Sequence, residues 1–291
     1  GSAVEVAVAL PAPAPATPGP ELARIAAPAV MPLLAQAPAT AIQRPARPKA
    51  ATAALGAANV ASAAKPLPSA SATPSDNITY TIPGSMLLHY KVTAHIRGFV
   101  VNGEGQLHWR QDGKEYQAKL ELSGPLLPSR SQQSTGRITA QGLAPLRFSD
   151  KARSEEAAHF ERDEGKVSFS SNRPDAVLMA GAQDRLSVMM QLGAMIAGKP
   201  KNFGPGTTIS VQTASTRDAE VWQFTVEGEE SLQLAGGELR AIKLIRTPRK
   251  EFDQKIELWL APALDYAPAR LRLTQPNGDW VDQQWSSTDK G

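Results

Sequence analysis

The stretch Leu88-His89-Tyr90-Lys91-Val92-Thr93-Ala94-His95-Ile96-Arg97 reads with a period of two. Leu88, Tyr90, Val92, Ala94 and Ile96 fall on one face; His89, Lys91, Thr93, His95 and Arg97 fall on the other. Successive side chains of a strand point to opposite sides, so this is a half-buried strand with one apolar face. The same pattern continues downstream. Gly98 to Gly103 reads as a turn region, after which Leu107 and Trp109 alternate with Gln106, His108 and Arg110. Asp112-Gly113 is a hairpin signal, and Tyr116, Ala118, Leu120 and Leu122 alternate with Gln117, Lys119 and Glu121. These three strands form a meander that is apolar on one side. Short strands follow at Arg137–Thr139 and Leu146–Phe148, with a hairpin over Glu156–Glu161 and Val167–Ser170. Further strands read at Thr207–Val211, Glu220–Glu227, Leu239–Arg246, Gln254–Leu260, Arg270–Thr274 and Trp280–Trp285, the last two joined by Pro276-Asn277-Gly278-Asp279. The pattern predicts a mainly β domain of about eleven antiparallel strands over residues 76–291.

One segment departs from it. Ala182 to Ala197 carries Leu186, Met189, Met190 and Ile196 at helical spacing, with Asp184 placed to cap the first turn and Gly198 and Pro200 to end it. A sheet with one apolar face must cover that face, and this helix is the segment able to do so. Two packed flat sheets would need no helix. A strongly curved, unclosed sheet is therefore expected, with Leu88, Tyr90, Val92, Leu120, Leu122, Phe224, Leu258 and Leu271 on its concave side. Met189, Met190, Leu192 and Met195 would lie over that side.

Residues 1–75 are different in kind: 26 Ala and 13 Pro fill more than half of them. Proline blocks helix and ladder hydrogen bonds, and alanine offers little surface to bury, so a disordered tether is expected. Gly1-Ser2 reads as a cloning remnant, and a signal or membrane-anchoring segment is expected to precede it. The formal charge of +3 resides in this tail, which holds five basic and two acidic residues; the remainder is balanced. A balanced domain has no electrostatic footprint for nucleic acid. No apolar run of 18 residues occurs, so no segment of this sequence reads as a transmembrane helix. Cysteine is absent, which excludes disulfides, thiolate nucleophiles, iron–sulfur clusters and Cys-type zinc sites.

The ordered series Gln183-Asp184-Arg185-Leu186-Ser187, Glu257-Leu258-Trp259-Leu260-Ala261-Pro262 and Ala267-Pro268-Ala269-Arg270-Leu271-Arg272-Leu273 resembles the bacterial envelope family catalogued as domain of unknown function 3108, over about residues 77–286. The closing pattern, proline then Arg-Leu-Arg-Leu before a polar hairpin, is also similar to lipoprotein carriers of the LolA and LolB type. These resemblances imply a curved antiparallel sheet whose concave face holds a helix and an apolar cavity. They also imply a periplasmic location, tethered to the inner membrane of a Gram-negative bacterium.

Candidate chemistry is sparse. Gly-x-Ser-x-Gly, His-Glu-x-x-His and the phosphate-loop pattern are missing. Asp150, Ser154 and His159 lie too close in sequence for an ordinary triad, and Glu227, Glu229, Glu230, Asp253 and Glu257 read as exposed charges. His89, His95 and His108 share a polar face. If residues 97 and 104 pair, His95 and His108 become diagonal neighbours, but a third metal ligand is lacking. Asp184 and Arg185 read either as a helix cap and sheet salt bridge or as a polar gate to a cavity. Met189, Met190 and Met195 suit either core packing or an adaptable apolar site. Trp222 and Phe224 share a strand face, and Trp259 falls on the wet parity of its strand, a mild sign of contact with something.

The expectation is a non-enzymatic envelope protein without cofactor or metal. Its lipid-like or amphipathic ligand would be bound by Tyr90, Asp184, Arg185, Met189, Met190, Met195, Trp222 and Phe224. The alternative is a structural or interaction module with a filled core, reaching an envelope protein partner through its tether.

Overall fold

The computed structural model describes residues 78–290. The tether expected over residues 1–75 lies outside the described residues. Fifteen strands form one sheet. The first half contains β1 (Met86–Ile96), β2 (Phe99–Gln111), β3 (Glu115–Ser123), β4 (Arg130–Thr139), β5 (Gly142–Lys151), β6 (Glu155–Glu161), β7 (Lys166–Phe169) and β8 (Ala176–Val177). After β9 (Gln183–Asp184) comes helix α1 (Ser187–Gly198). The second half contains β10 (Thr208–Ala214), β11 (Ala219–Leu234), β12 (Gly237–Arg246), β13 (Lys255–Ala261), β14 (Ala267–Thr274) and β15 (Trp280–Lys290).

The sheet runs β8 to β1 in reverse chain order, then β15 back to β9. Each hairpin therefore pairs with the next, and the first and last long strands meet in the middle through antiparallel register Val92↔Gln283. The two free edges, β8 and β9, are neighbours in sequence. The result is one long sheet that does not close, antiparallel except where β9 joins β10 in parallel, with a single α-helix among the described residues, as the alternation implied.

The number of strands exceeds eleven, and β8 and β9, two residues each, are too short to show alternation; several other strands run longer or start earlier than their apolar core. Gly98 to Gly103 is not a turn region. Arg97 and Gly98 both take positive φ (51° and 85°), which suits a two-residue hairpin turn, and Phe99 to Gly103 is already strand. The register is consequently Ile96↔Phe99, so His95 faces Val100 while His108 faces Leu87. The diagonal pairing of His95 with His108 does not form. Arg130 to Ser134 extend β4, and β11 continues past a bulge at Glu227 to reach 16 residues.

All eight residues expected on the concave side are buried in one core, together with Met189, Met190, Leu192 and Met195. The helix is not a lid with one wet face: every residue from Ser187 to Ile196 is buried. The chain at residues 78–83 crosses it, with the Thr81 amide donating to Ala194 O at 2.9 Å. Small residues permit this approach. A Cβ on Gly198 would sit 1.9 Å from Thr79 O, and one on Gly193 would sit 2.3 Å from Tyr266 O. From the β5 side, the Leu143 amide donates to Gln191 Oε1 at 2.8 Å.

Candidate functional site

The start of α1 is held by a buried polar network. Asp184 is fully buried and Ser134 Oγ donates to its Oδ2 at 2.5 Å, while Tyr116 Oη donates to Ser134 Oγ at 3.0 Å. Asp184 Oδ1 accepts the Leu186 and Ser187 amides at 2.9 and 2.7 Å. These are the first amides of the helix end, which have no partner inside the helix. Asp184 thus caps α1, as its position suggested, but from strand β9. Burial pushes its carboxyl up to about 6, against the opposing pull of the Ser134, Ser187 and Leu186 donors.

Next to it, Arg185 turns toward a crevice between the first turns of α1 and the sheet. The walls are Leu120, Val188, Met189, Phe224, Ile256, Leu258, Leu271 and Leu273, and the polar groups are Gln132, Arg185, Trp222, Gln254 and Gln283. The free space is about 40 Å³, room for one to a few waters. Trp222 and Phe224 meet at 6.1 Å with tilted rings. The guanidinium carbons of Arg185 and Arg246 stand 5.4 and 4.6 Å from the Trp222 ring, within cation–π range. Arg246 is itself anchored, donating to Gln254 O at 2.7 Å and pairing with Asp253 at 3.2 Å. Burial holds the Arg185 guanidinium below its ordinary value, partly opposed by the negative charge of Asp218.

Of the eight residues singled out from the sequence, Arg185, Met189, Trp222 and Phe224 converge on this crevice. Asp184, Tyr90, Met190 and Met195 do not line it. Tyr90 is buried and donates to Pro268 O at 2.8 Å, and burial keeps its phenol protonated far above the ordinary range. Met190 and Met195 pack in the core. Gln132, Gln254 and Gln283 were missed. The signal available was a polar residue at apolar parity, as Gln283 stands two residues from buried Val281.

Trp259 is not available to a partner. It is 4 % exposed, its Nε1 donates to Glu230 at 2.8 Å, and Lys243 and Arg270 lie 5.2 and 4.7 Å from its ring. Long cationic side chains cover the outer face of the sheet with their stems, so an aromatic at wet parity is covered by the chain's own neighbours. Asp150 is committed to Arg130, whose Nε donates at 2.7 Å. Among the described residues no group of three or more His, Asp or Glu could hold a metal. No described helix is long and apolar enough to cross a membrane.

No curated protein matches this chain. Similar solved structures include a β-barrel-like protein of domain of unknown function DUF1849 from Brucella abortus, at 14 % identity and a TM-score of 0.49, covering 72 % of this chain and 100 % of that one. MucB is similar at 12 % identity and a TM-score of 0.29, over 72 % of this chain and 54 % of its own. A putative outer membrane lipoprotein-sorting protein domain from Vibrio parahaemolyticus is similar at 9 % identity and a TM-score of 0.28, over 71 % and 85 %. The family described as protein of unknown function (DUF3108) matches residues 87–283, most of the chain, and this protein belongs to it.

Proposed function

We propose that this protein is a non-enzymatic module of the bacterial envelope that holds a lipid-like or amphipathic ligand between its curved sheet and α1. The observation carrying this reading is the crevice itself. Eight apolar side chains form its walls, and a few polar groups gather beside them. Apolar walls with a few convergent polar groups are what small-molecule sites look like. The present space of about 40 Å³ is too small for an acyl chain, so binding requires Met189 and the first turn of α1 to give way. Methionine is unbranched and adapts its shape, which suits that movement. The Ala/Pro-rich composition of residues 1–75 supports a periplasmic domain held off the inner membrane by a tether. The lack of nucleophile, zinc and phosphate-loop motifs supports a role without chemistry.

The small volume also favours a second reading, a filled core in a structural module that reaches an envelope partner through the tether. Native mass spectrometry of the full chain separates the two. A 1:1 amphiphile adduct, carried from expression or acquired from phosphatidylethanolamine–phosphatidylglycerol vesicles, is expected. Apo mass alone under both conditions contradicts ligand binding and leaves the filled core.

A further inference from the structure

Two buried donors at the crevice have no acceptor. Arg185 Nε and Gln283 Nε2 are each enclosed without a hydrogen bond, and both residues line the crevice. Gln283 is only 2 % exposed. The neighbouring guanidiniums each have a carboxylate partner: Arg130 donates to Asp150 at 2.7 Å, Arg270 donates to Asp282 at 2.9 Å, and Arg246, whose Nε is also without a hydrogen bond, pairs with Asp253 at 3.2 Å. Arg185 forms no ion pair with any described carboxylate. Its guanidinium carbon stands 5.4 Å from the Trp222 ring, and Asp218 acts on it through charge without a direct contact. A buried donor without an acceptor is costly, and more so on an enclosed cation that no carboxylate touches. Buried polar groups are nearly always satisfied, so two orphans on residues that line one space call for an acceptor that enters it.

We infer that the crevice takes an amphipathic anion, a single-chain amphiphile whose acidic oxygens accept from Arg185 Nε and Gln283 Nε2 while its chain lies against Met189, Phe224, Leu258 and Leu271. This rests on the ligand-binding reading above and names the chemical class of the ligand. Charge-assisted hydrogen bonds from an arginine to an oxyanion are short and strong, and they form best where water is excluded. A carboxylate and a phosphate offer the same oxygen chemistry, so a free fatty acid and a lysophospholipid headgroup are the two sources.

Calorimetric titration of the full chain with palmitate, with palmitoyl lysophosphatidate and with neutral monopalmitoylglycerol, each below its micellar concentration, tests this. At least one anion is expected to bind ten-fold or more tightly than the neutral amphiphile, and the tighter of the two identifies the source. Arg185→Met is expected to erase that preference, read as the ratio of anion to neutral affinity within the variant. Gln283→Leu, which leaves the charge in place, is expected to reduce the preference in part and serves if Arg185→Met does not fold. Equal binding of anions and neutral amphiphile by the wild type, as when the orphan donors hold only water, overturns the inference and leaves ligand binding intact. So does a preference of undiminished size in a folded variant of either kind. Failure of all three amphiphiles to bind overturns both.

Discussion

The carboxamide of Gln212 stands against Val177 as a strand's own peptide would: its Nε2 donates to Val177 O at 2.8 Å, and its Oε1 accepts the Met179 amide at 2.8 Å. It spans the gap between edge strand β8 and β10, where the long sheet fails to close. Ser171 Oγ donates to Thr216 O at 3.0 Å, and Arg217 Nε donates to Glu156 at 2.9 Å, along the same seam. An unpaired strand edge is a liability, and side chains here substitute for the missing ladder.

Gln212→Leu should therefore loosen the seam without unfolding the domain. The expected cost is about 1 kcal/mol, the net worth of a hydrogen bond whose partners water can reach, because Val177 and Met179 are exposed. Amide hydrogen exchange at Met179 should accelerate strongly while β1 and β15 amides stay protected. Unchanged protection at Met179 would mean that the seam is held by other contacts.

The buried carboxyl of Asp184 gives stability a defined pH term. Its folded value, about 6, lies above the ordinary 3.8, so between these values the folded state binds more protons than the unfolded state. Stability from this group is then greatest below pH 4, falls as pH rises toward 6, and is level above it. The size is on the order of 3 kcal/mol. Asp184→Asn removes the term. The stability difference, wild type minus variant, should fall by about that amount between pH 4 and pH 7 in chemical denaturation. A difference independent of pH would show that the carboxyl titrates normally.

Gly193→Ala should destabilise despite improving helix propensity by about 1 kcal/mol. The added Cβ would come 2.3 Å from Tyr266 O, a backbone atom that cannot swing aside. Overpacking of this kind costs about 1–3 kcal/mol. A lower urea midpoint is expected; a higher one would mean that helix and the Tyr266 backbone separate freely.

Alternation made the strands legible because one apolar face per strand is a strong periodic signal. Register was less so. Positive φ at Arg97 carries no sequence mark, and Gly98 and Gly103 together suggested a longer turn than forms. The surroundings of α1 were also hidden, since Gly193 and Gly198 look like weak helix residues until neighbouring backbone occupies the space they leave. At the crevice, hydrophobic parity pointed to Trp222 and Phe224, and the methionines pointed to Met189. The glutamines escaped because a polar side chain on an apolar face reveals its role only when its partners, or their absence, can be seen.

The native mass spectrum of Met189→Arg beside wild type tests the central claim most directly, because it reads folding and occupancy together. Met189 lines the crevice at 8 % exposure, on the first turns of α1. If the crevice is a site that opens, the new guanidinium can reach its polar mouth. The variant should then keep the narrow charge-state distribution of a folded protein and lose the amphiphile adduct that wild type carries. If the crevice is packed core, burying that charge should unfold the domain, and a broad high-charge envelope for the variant beside an adduct-free wild type would contradict the account.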